Sequence, residues 1–308
     1  MQKKGTVLAV VGPTCSSKTD LSISLAQKLN CEIIACDSRT VYKYMDIGTA
    51  KPTPEQRAAA PHHLLDIVEP NQIYTAAQFK NDAGLILEDQ FNDKQKDFAI
   101  VCGGTGFYAK ALLSGLAIPE VPPQEQFRDE LKERAQNFGV DTLYGELEKI
   151  DPDAALKIGR NDLFRIVRAL EVSQYLGIPF SKAAVKKEVP FNVIWIGLTF
   201  DDRSILKNRI IERLDEQSHG GLEAEVRSLY EKYGPCQTLM NAVGYKEIIE
   251  YIDGKTTFAA GIENCVKHTY QLARKQLIFF RAIPDIVWFC VDKEKDLLEA
   301  VQKHISFD

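Results

Sequence analysis

Near its start the chain reads Gly12-Pro-Thr-Cys-Ser-Ser-Lys18-Thr19, directly after the apolar run Thr6 to Val11 and directly before leucines at 21, 25 and 29. A strand, a tight loop and a helix start in that order converge backbone N–H groups on one point, where the helix N-terminus also favours negative charge. Gly12, Pro13, Thr14, Cys15, Ser16, Ser17, Lys18 and Thr19 are therefore candidate ligands of a di- or triphosphate. Lys18 would neutralise the phosphates, and Thr19 would hold Mg2+ through its hydroxyl or through a water. The pattern wants glycine immediately before the lysine, because the backbone must approach phosphate closely and take φ > 0; this chain has Ser17 there.

Such a loop recognises phosphate, and ATP would fit it as well as any other diphosphate. P-loop kinases and ATPases usually carry an Asp at the end of a later apolar strand to hold Mg2+. Here the run Asp97 to Cys102 passes straight into Gly103-Gly-Thr-Gly-Phe-Tyr108 with no carboxylate at that end, which counts against an ATPase. Asp37 lies just past another apolar run, where open α/β sheets bind their ligands, although by itself it reads equally well as a turn or cap residue.

The elements that must position these residues are legible as short β-branched or apolar runs: Thr6 to Val11, Glu32 to Cys36, His63 to Val68, Asp97 to Cys102, Val193 to Phe200 and Asp285 to Cys290. Runs without polar alternation, separated by helical segments, predict a mainly parallel sheet covered by helices on both faces, a P-loop NTPase-like α/β fold. Between Pro119 and Pro190 the strand signal stops and Pro122-Pro123, Asp151-Pro152 and Gly177-Ile-Pro179 punctuate helices. We read 1–118 as the first part of the core, 119–191 as a helical insertion and 192–308 as the second part. The best-marked helix of the insertion is expected to run from an Asn161 N-cap to a Gly177 C-cap, with Phe164, Val167, Leu170 and Tyr175 on its buried stripe.

Composition narrows the classes. With 308 residues, 45% apolar and 26% charged, the chain can bury a core unaided, and no apolar run reaches the roughly 18 residues of a membrane span. Its seven cysteines include no C-x-x-C pair, which excludes a zinc ribbon, offers no disulfide framework and suits a reducing cytoplasm. A net charge of -5 argues against a protein coated by nucleic acid, but from 157 to 187 Lys157, Arg160, Arg165, Arg168, Lys182, Lys186 and Lys187 face only Asp162 and Glu171, a local surplus of five.

Three segments then carry a family resemblance. Asp37-Ser-Arg-Thr-Val-Tyr-Lys-Tyr-Met-Asp-Ile-Gly-Thr-Ala-Lys-Pro52 closely resembles the stretch after the second strand of tRNA dimethylallyltransferases, Gly103-Gly-Thr-Gly-Phe-Tyr108 their second glycine-rich loop, and Ala242-Val-Gly-Tyr-Lys-Glu247 a third motif. Asp151-Pro, Asn161-Asp, Arg165, Arg168-Ala-Leu-Glu171 and Gly221-Leu-Glu-Ala-Glu-Val226 follow in family order, so the resemblance spans nearly the whole chain. It implies transfer of a dimethylallyl group from dimethylallyl diphosphate to the N6 amine of the adenosine 3′ of the anticodon, by a cytoplasmic, membrane-free monomer using Mg2+. It also implies that Asp37 is the general base, that Thr105 contacts the target adenosine and that Arg213 grips the donor's diphosphate. For the tRNA anticodon stem-loop the resemblance points to Asp37, Ser38, Arg39, Thr40, Asn161, Asp162, Arg165, Arg168, Gly244, Tyr245 and Lys246, with Arg128 a further contact. A base in a folded loop must be unstacked before a pocket can take it, which gives the basic stretch a purpose.

The chain departs from the family at Ser17, at Thr40 where most relatives have Gln, and in Thr269-Tyr-Gln-Leu-Ala-Arg-Lys-Gln-Leu-Ile-Phe-Phe-Arg281. Two other readings therefore stand beside tRNA prenylation: a P-loop kinase or adenylate isopentenyltransferase acting on a free nucleotide, and a weakened relative that only binds RNA. The helical insertion argues against the first; retained Lys18, Thr19, Asp37 and Thr105 argue against the second.

Overall fold

A computed structural model describes residues 4–185 and 187–305, and within it the chain divides into two compact units. One is formed by residues up to Leu112 and from Val189 onward, the other by Leu113–Glu188.

The first unit is built on six strands: β1 (Thr6–Val11), β2 (Ile33–Ala35), β3 (His62–His63), β4 (Phe98–Gly103), β5 (Asn192–Thr199) and β6 (Ile286–Cys290). Their order is β3-β2-β4-β1-β5-β6 and every pairing is parallel. β1 sits between β4 and β5, with Thr6 level with Phe98 and Asn192. Val7, Leu8, Ala9, Val10 and Val11 are wholly buried, which is why the strand is apolar without alternation. All strands run the same way, so the loops after Val11, Ala35, Gly103 and Thr199 share one edge of the sheet. The loops that carry the candidate chemistry leave from that edge.

The expected strands match except the third. Residues 63–68 read as one run, yet only His62–His63 pairs with β2, because Leu64 at φ 61° and Asp66 at φ 58° turn the backbone left-handed and break the extension. Val68 instead forms a single bridge with Tyr42.

The second unit is helical: Glu125–Phe138, Val140–Ile150, Pro152–Ala155, Leu163–Leu176 and Phe180–Ala183. Leu131, Leu143, Leu147, Ile158, Ile166 and Leu170 form its core. Asp151, only 2% exposed, ties it together: its carboxylate accepts from Ala154 N at 3.0 Å and from both the backbone N and the hydroxyl of Ser181 at 2.7 Å. The helix expected to begin after Asn161 is capped instead by Asp162, whose Oδ1 accepts from Arg165 N at 3.2 Å, and it ends as expected at Gly177. Its buried face is Ile166, Val167, Ala169 and Leu170; Phe164 and Tyr175, expected on that stripe, lie on its flank and are 82% and 52% exposed. Lys186 lies outside the described residues.

Among the described residues no helix is long and apolar enough to cross a membrane.

Candidate active site

The shape of the loop after β1 is set by its own backbone. Gly12 has φ 149°, and a Cβ there would stand 2.6 Å from Leu198 O. Cys15 (φ 62°) and Ser17 (φ 58°) both sit in the left-handed region, which costs an L-residue on the order of 1–2 kcal/mol each. The preference for glycine before the lysine therefore has its geometric cause at Ser17. Ser16 Oγ donates to Pro13 O at 2.8 Å, and Lys18 Nζ donates to the same carbonyl at 2.5 Å. Burial pushes the Lys18 ammonium below its ordinary pKa; the negative charge of Asp37 opposes that shift, and Arg213 adds to it. Lys18, Asp37 and Arg213 are thus within electrostatic reach of one another.

The end of β4 brings the second glycine loop against the segment after β2. Gly103 is obligatory, since a Cβ would come within 2.0 Å of Cys36 O. Thr105 N donates to that carbonyl at 3.2 Å, and Thr105 Oγ1 accepts from Ser38 N at 2.9 Å. Asp37 Oδ1 accepts from Arg39 N at 2.8 Å, which leaves the other carboxylate oxygen, Oδ2, outside this turn. Arg39 is itself fastened to the carbonyls of Thr238 (3.4 Å) and Asn241 (2.9 Å).

A cavity of about 300 Å³ opens at this edge. Asp37, Ser38, Arg39 and Thr105 line it, together with Thr14 and Cys15 of the phosphate loop, Arg213 of the helix Arg203–His219, and Gly244 and Tyr245 of the third motif. The remaining loop residues support the cavity without lining it, as does Thr40, which is 7% exposed with its buried Oγ1 unpartnered. Lys246 lines a neighbouring hollow of about 330 Å³ with His268, Gln271 and Lys275.

Several residues that shape the site were not singled out by sequence. Glu225 is the anchor of the segment 46–48: its carboxylate accepts from the backbone N of Asp46 (2.9 Å), Ile47 (2.7 Å) and Gly48 (3.0 Å) and from the phenol of Tyr245 (2.6 Å). Lys51, 7% exposed, donates to Tyr42 O at 2.7 Å and to Asp46 and Asp66 at 2.6 and 2.5 Å, fixing the same segment from its other end. Burial alone would raise Asp66, but the bonds from Lys51 and Arg57 outweigh it and hold that carboxyl below its usual range. Gln276 Oε1 accepts from Thr14 N at 2.9 Å, and its side chain occupies the space a Cβ on Gly104 would take. Glu247, 2% exposed, accepts from Gly244 N at 2.8 Å, which fixes the turn that presents Tyr245. The signal for Glu225 and Glu247 was present, since both lie in quoted motifs, but only their partners across the chain give them work.

In the helical unit Asn161, Asp162 and Arg165 sit at the start of one helix, with Arg165 64% exposed along its side chain. Arg128 and Arg168 differ. Arg128 Nε is 2.7 Å and Arg168 Nη1 2.5 Å from the wholly buried Glu171 carboxylate, and Arg168 also donates to Pro119 O and Val121 O. Both guanidinium groups are thereby committed inside the unit.

Thr19 offers one hydroxyl oxygen at the helix start, and no group of three His, Cys, Asp or Glu side chains able to hold a metal occurs among the described residues. So sparse an oxygen donor set fits Mg2+ that arrives on a diphosphate with its own waters, as this ion usually does.

Comparison with known proteins gives consistent matches. The family model for IPP transferase matches residues 40–283, and that for isopentenyl transferase residues 5–69. A tRNA dimethylallyltransferase of Thermoanaerobacter sp. is 39% identical over 98% of this chain and 96% of its own length. That of Carboxydothermus hydrogenoformans is 41% identical over 97% and 96%. Among solved structures, the tRNA isopentenylpyrophosphate transferase of Bacillus halodurans superposes with a TM-score of 0.71 at 34% identity, covering 97% of this chain and 95% of that one. A eukaryotic dimethylallyltransferase acting on tRNA superposes with a TM-score of 0.80 at 27% identity, covering 98% and 78%.

Proposed function

This chain belongs to the tRNA dimethylallyltransferase family, and from that premise we propose how its own residues carry out the transfer. The enzyme is a prenyltransferase that moves a dimethylallyl group from its diphosphate to tRNA. The observation that carries the residue assignment is the shared cavity, which joins Asp37, Thr105 and Arg213 to Thr14 and Cys15 of the phosphate loop. The acceptor is the N6 amine of the adenosine 3′ of the anticodon, and the donor is dimethylallyl diphosphate.

The chemistry asks two things of the protein. An exocyclic adenine amine is a poor nucleophile, so it must be held in line with the allylic carbon and must lose a proton as the N–C bond forms. Asp37 takes that proton, supported by its turn, which holds Oδ1 on Arg39 N. Thr105, oriented by Ser38 N, positions the base. As the C–O bond breaks, the diphosphate gathers negative charge, and Lys18 and Arg213 meet it there. Lys18 is half-buried, where charge stabilisation is stronger than in water. Thr19 would hold Mg2+, which when bound adds its charge to the leaving diphosphate.

On the RNA side, Ser38, Arg39, Asn161, Asp162, Arg165 and Lys246 are the contact residues, and Gly244 and Tyr245 shape their wall. Arg128 and Arg168 act mainly by setting the helix that carries Arg165, a reading supported by their bonds to Glu171. The reading of a free-nucleotide enzyme loses to relatives that match over nearly the full length and bear the name of tRNA enzymes. Seven unpaired cysteines support work in the reducing cytoplasm, and the family resemblance supports a monomer.

The test is direct. Purified protein with Mg2+ and labelled dimethylallyl diphosphate should label unmodified tRNA whose anticodon is followed by adenosine, and not AMP; label on AMP alone would overturn the reading.

A further inference from the structure

Two of the loop's residues, Cys15 and Ser17, are held in a left-handed conformation without being glycine, and one side chain reaches both. Arg209 Nη1 donates to Ser17 Oγ at 3.0 Å and to Cys15 O at 3.4 Å. The guanidinium lies over the ring of Phe200, with Cζ 5.4 Å from the centroid, and Phe200 is 9% exposed directly after β5. Arg209 is therefore fixed on one side by a core aromatic and on the other by the phosphate loop. It stands one turn before Arg213 on the same helix, so the charge that meets the cavity and the charge that braces the loop are set by one rigid element.

We propose that Arg209 is a positioning residue that clamps the phosphate loop in its anion-receiving shape, and that Ser17 is the handle through which it does so in place of the glycine such loops favour. A glycine needs no help to adopt φ 58°, whereas a serine there is strained and stays only if something over-determines it. The Oγ–guanidinium bond is charge-assisted and supplies that constraint, and the second bond to Cys15 O holds the neighbouring strained residue. The proposal rests on the diphosphate reading of this loop.

Calorimetry with inorganic pyrophosphate in magnesium buffer separates the two. Unaltered protein should bind; no binding would overturn both the diphosphate reading and this inference. Arg209→Ala should weaken pyrophosphate by about tenfold or more, as loss of a charge-assisted hydrogen bond does, and raise KM for the prenyl donor with little change in kcat. Ser17→Gly in the Arg209→Ala background should recover most of that loss. Equal binding by Arg209→Ala and the unaltered protein would overturn the clamp, and so would a double variant as weak as the single, which would mean that Arg209 meets the anion itself. Should Arg209→Ala fail to fold, Arg209→Gln, which removes the charge behind both Nη1 bonds, decides it together with Ser17→Gly in the same background: weakened binding that the double variant recovers supports the clamp, and unchanged or unrecovered binding overturns it.

Discussion

The Tyr245 phenol donates to Glu225 Oε1 at 2.6 Å, and the same carboxylate closes three successive backbone N–H groups from Asp46 to Gly48. Tyr245 is wholly buried, and its ring fills the place of a Cβ on Gly48, which would approach Cε2 to 2.5 Å. Two motifs nearly 200 residues apart in sequence are thereby locked at the wall of one cavity.

Glu225→Ala should strand those donors. A buried donor left unpaired costs about 1–3 kcal/mol; the Tyr245 phenol is such a donor and the backbone donors are partly exposed, so a loss of about 1–3 kcal/mol is expected, read as a lower urea midpoint. Glu225→Gln, which keeps an acceptor oxygen, should lose less than half as much.

Asp37→Ala should abolish prenyl transfer while tRNA affinity, read by filter binding, stays within a few-fold of the parent. Positioned bases contribute typically 10²–10⁴-fold, so a rate fall of about that size is expected. Retained full activity would remove Asp37 as the base.

Gly103→Ala should damage the site through the backbone alone. Its Cβ would stand 2.0 Å from Cys36 O and 2.4 Å from the carbonyl carbon, and backbone there has little room to yield. Destabilisation of at least about 1–3 kcal/mol is expected from such crowding, with loss of transfer because Asp37 and Thr105 flank the contact. Gly145→Ala in the helical unit, where an added Cβ meets nothing within 4 Å, serves as the control and should stabilise slightly.

Acid should loosen the helical unit through Glu171. Burial would raise that carboxyl, but bonds from Arg128, Gln124 N and Arg168 outweigh it and hold its pKa below the usual glutamate range. A depressed carboxyl contributes stability above its unfolded value of about 4.3 and loses it as pH falls through the lower folded value. Hydrogen exchange in the helix Leu163–Leu176 should accelerate as pH drops below about 4.3 after correction for intrinsic rates, and Glu171→Gln should flatten that dependence.

Much of this was legible in the sequence. The apolar runs fixed the strands because a parallel sheet buried on both faces leaves no other composition for them, and glycines 12 and 103 marked the tight approaches because nothing larger fits. The loop between the first strand and the helix Lys18–Leu29 was legible because its signal is local: strand, turn and helix start lie within a few residues. The third strand failed because left-handed turns at Leu64 and Asp66 are made by non-glycine residues, which carry no sequence mark. Phe164 failed because helix phase depends on which face finds a core, and Ile166, Val167 and Leu170 found it.

The sequence by itself determined the local features: a strand, a tight loop and a helix start carrying Lys18 and Thr19, a carboxylate at Asp37, and a helical insertion. Only tertiary structure decided the rest, because Glu225 on Gly48, Gln276 on Thr14 and Arg209 on Ser17 are contacts between residues 177, 262 and 192 positions apart, and only the fold brings such pairs together.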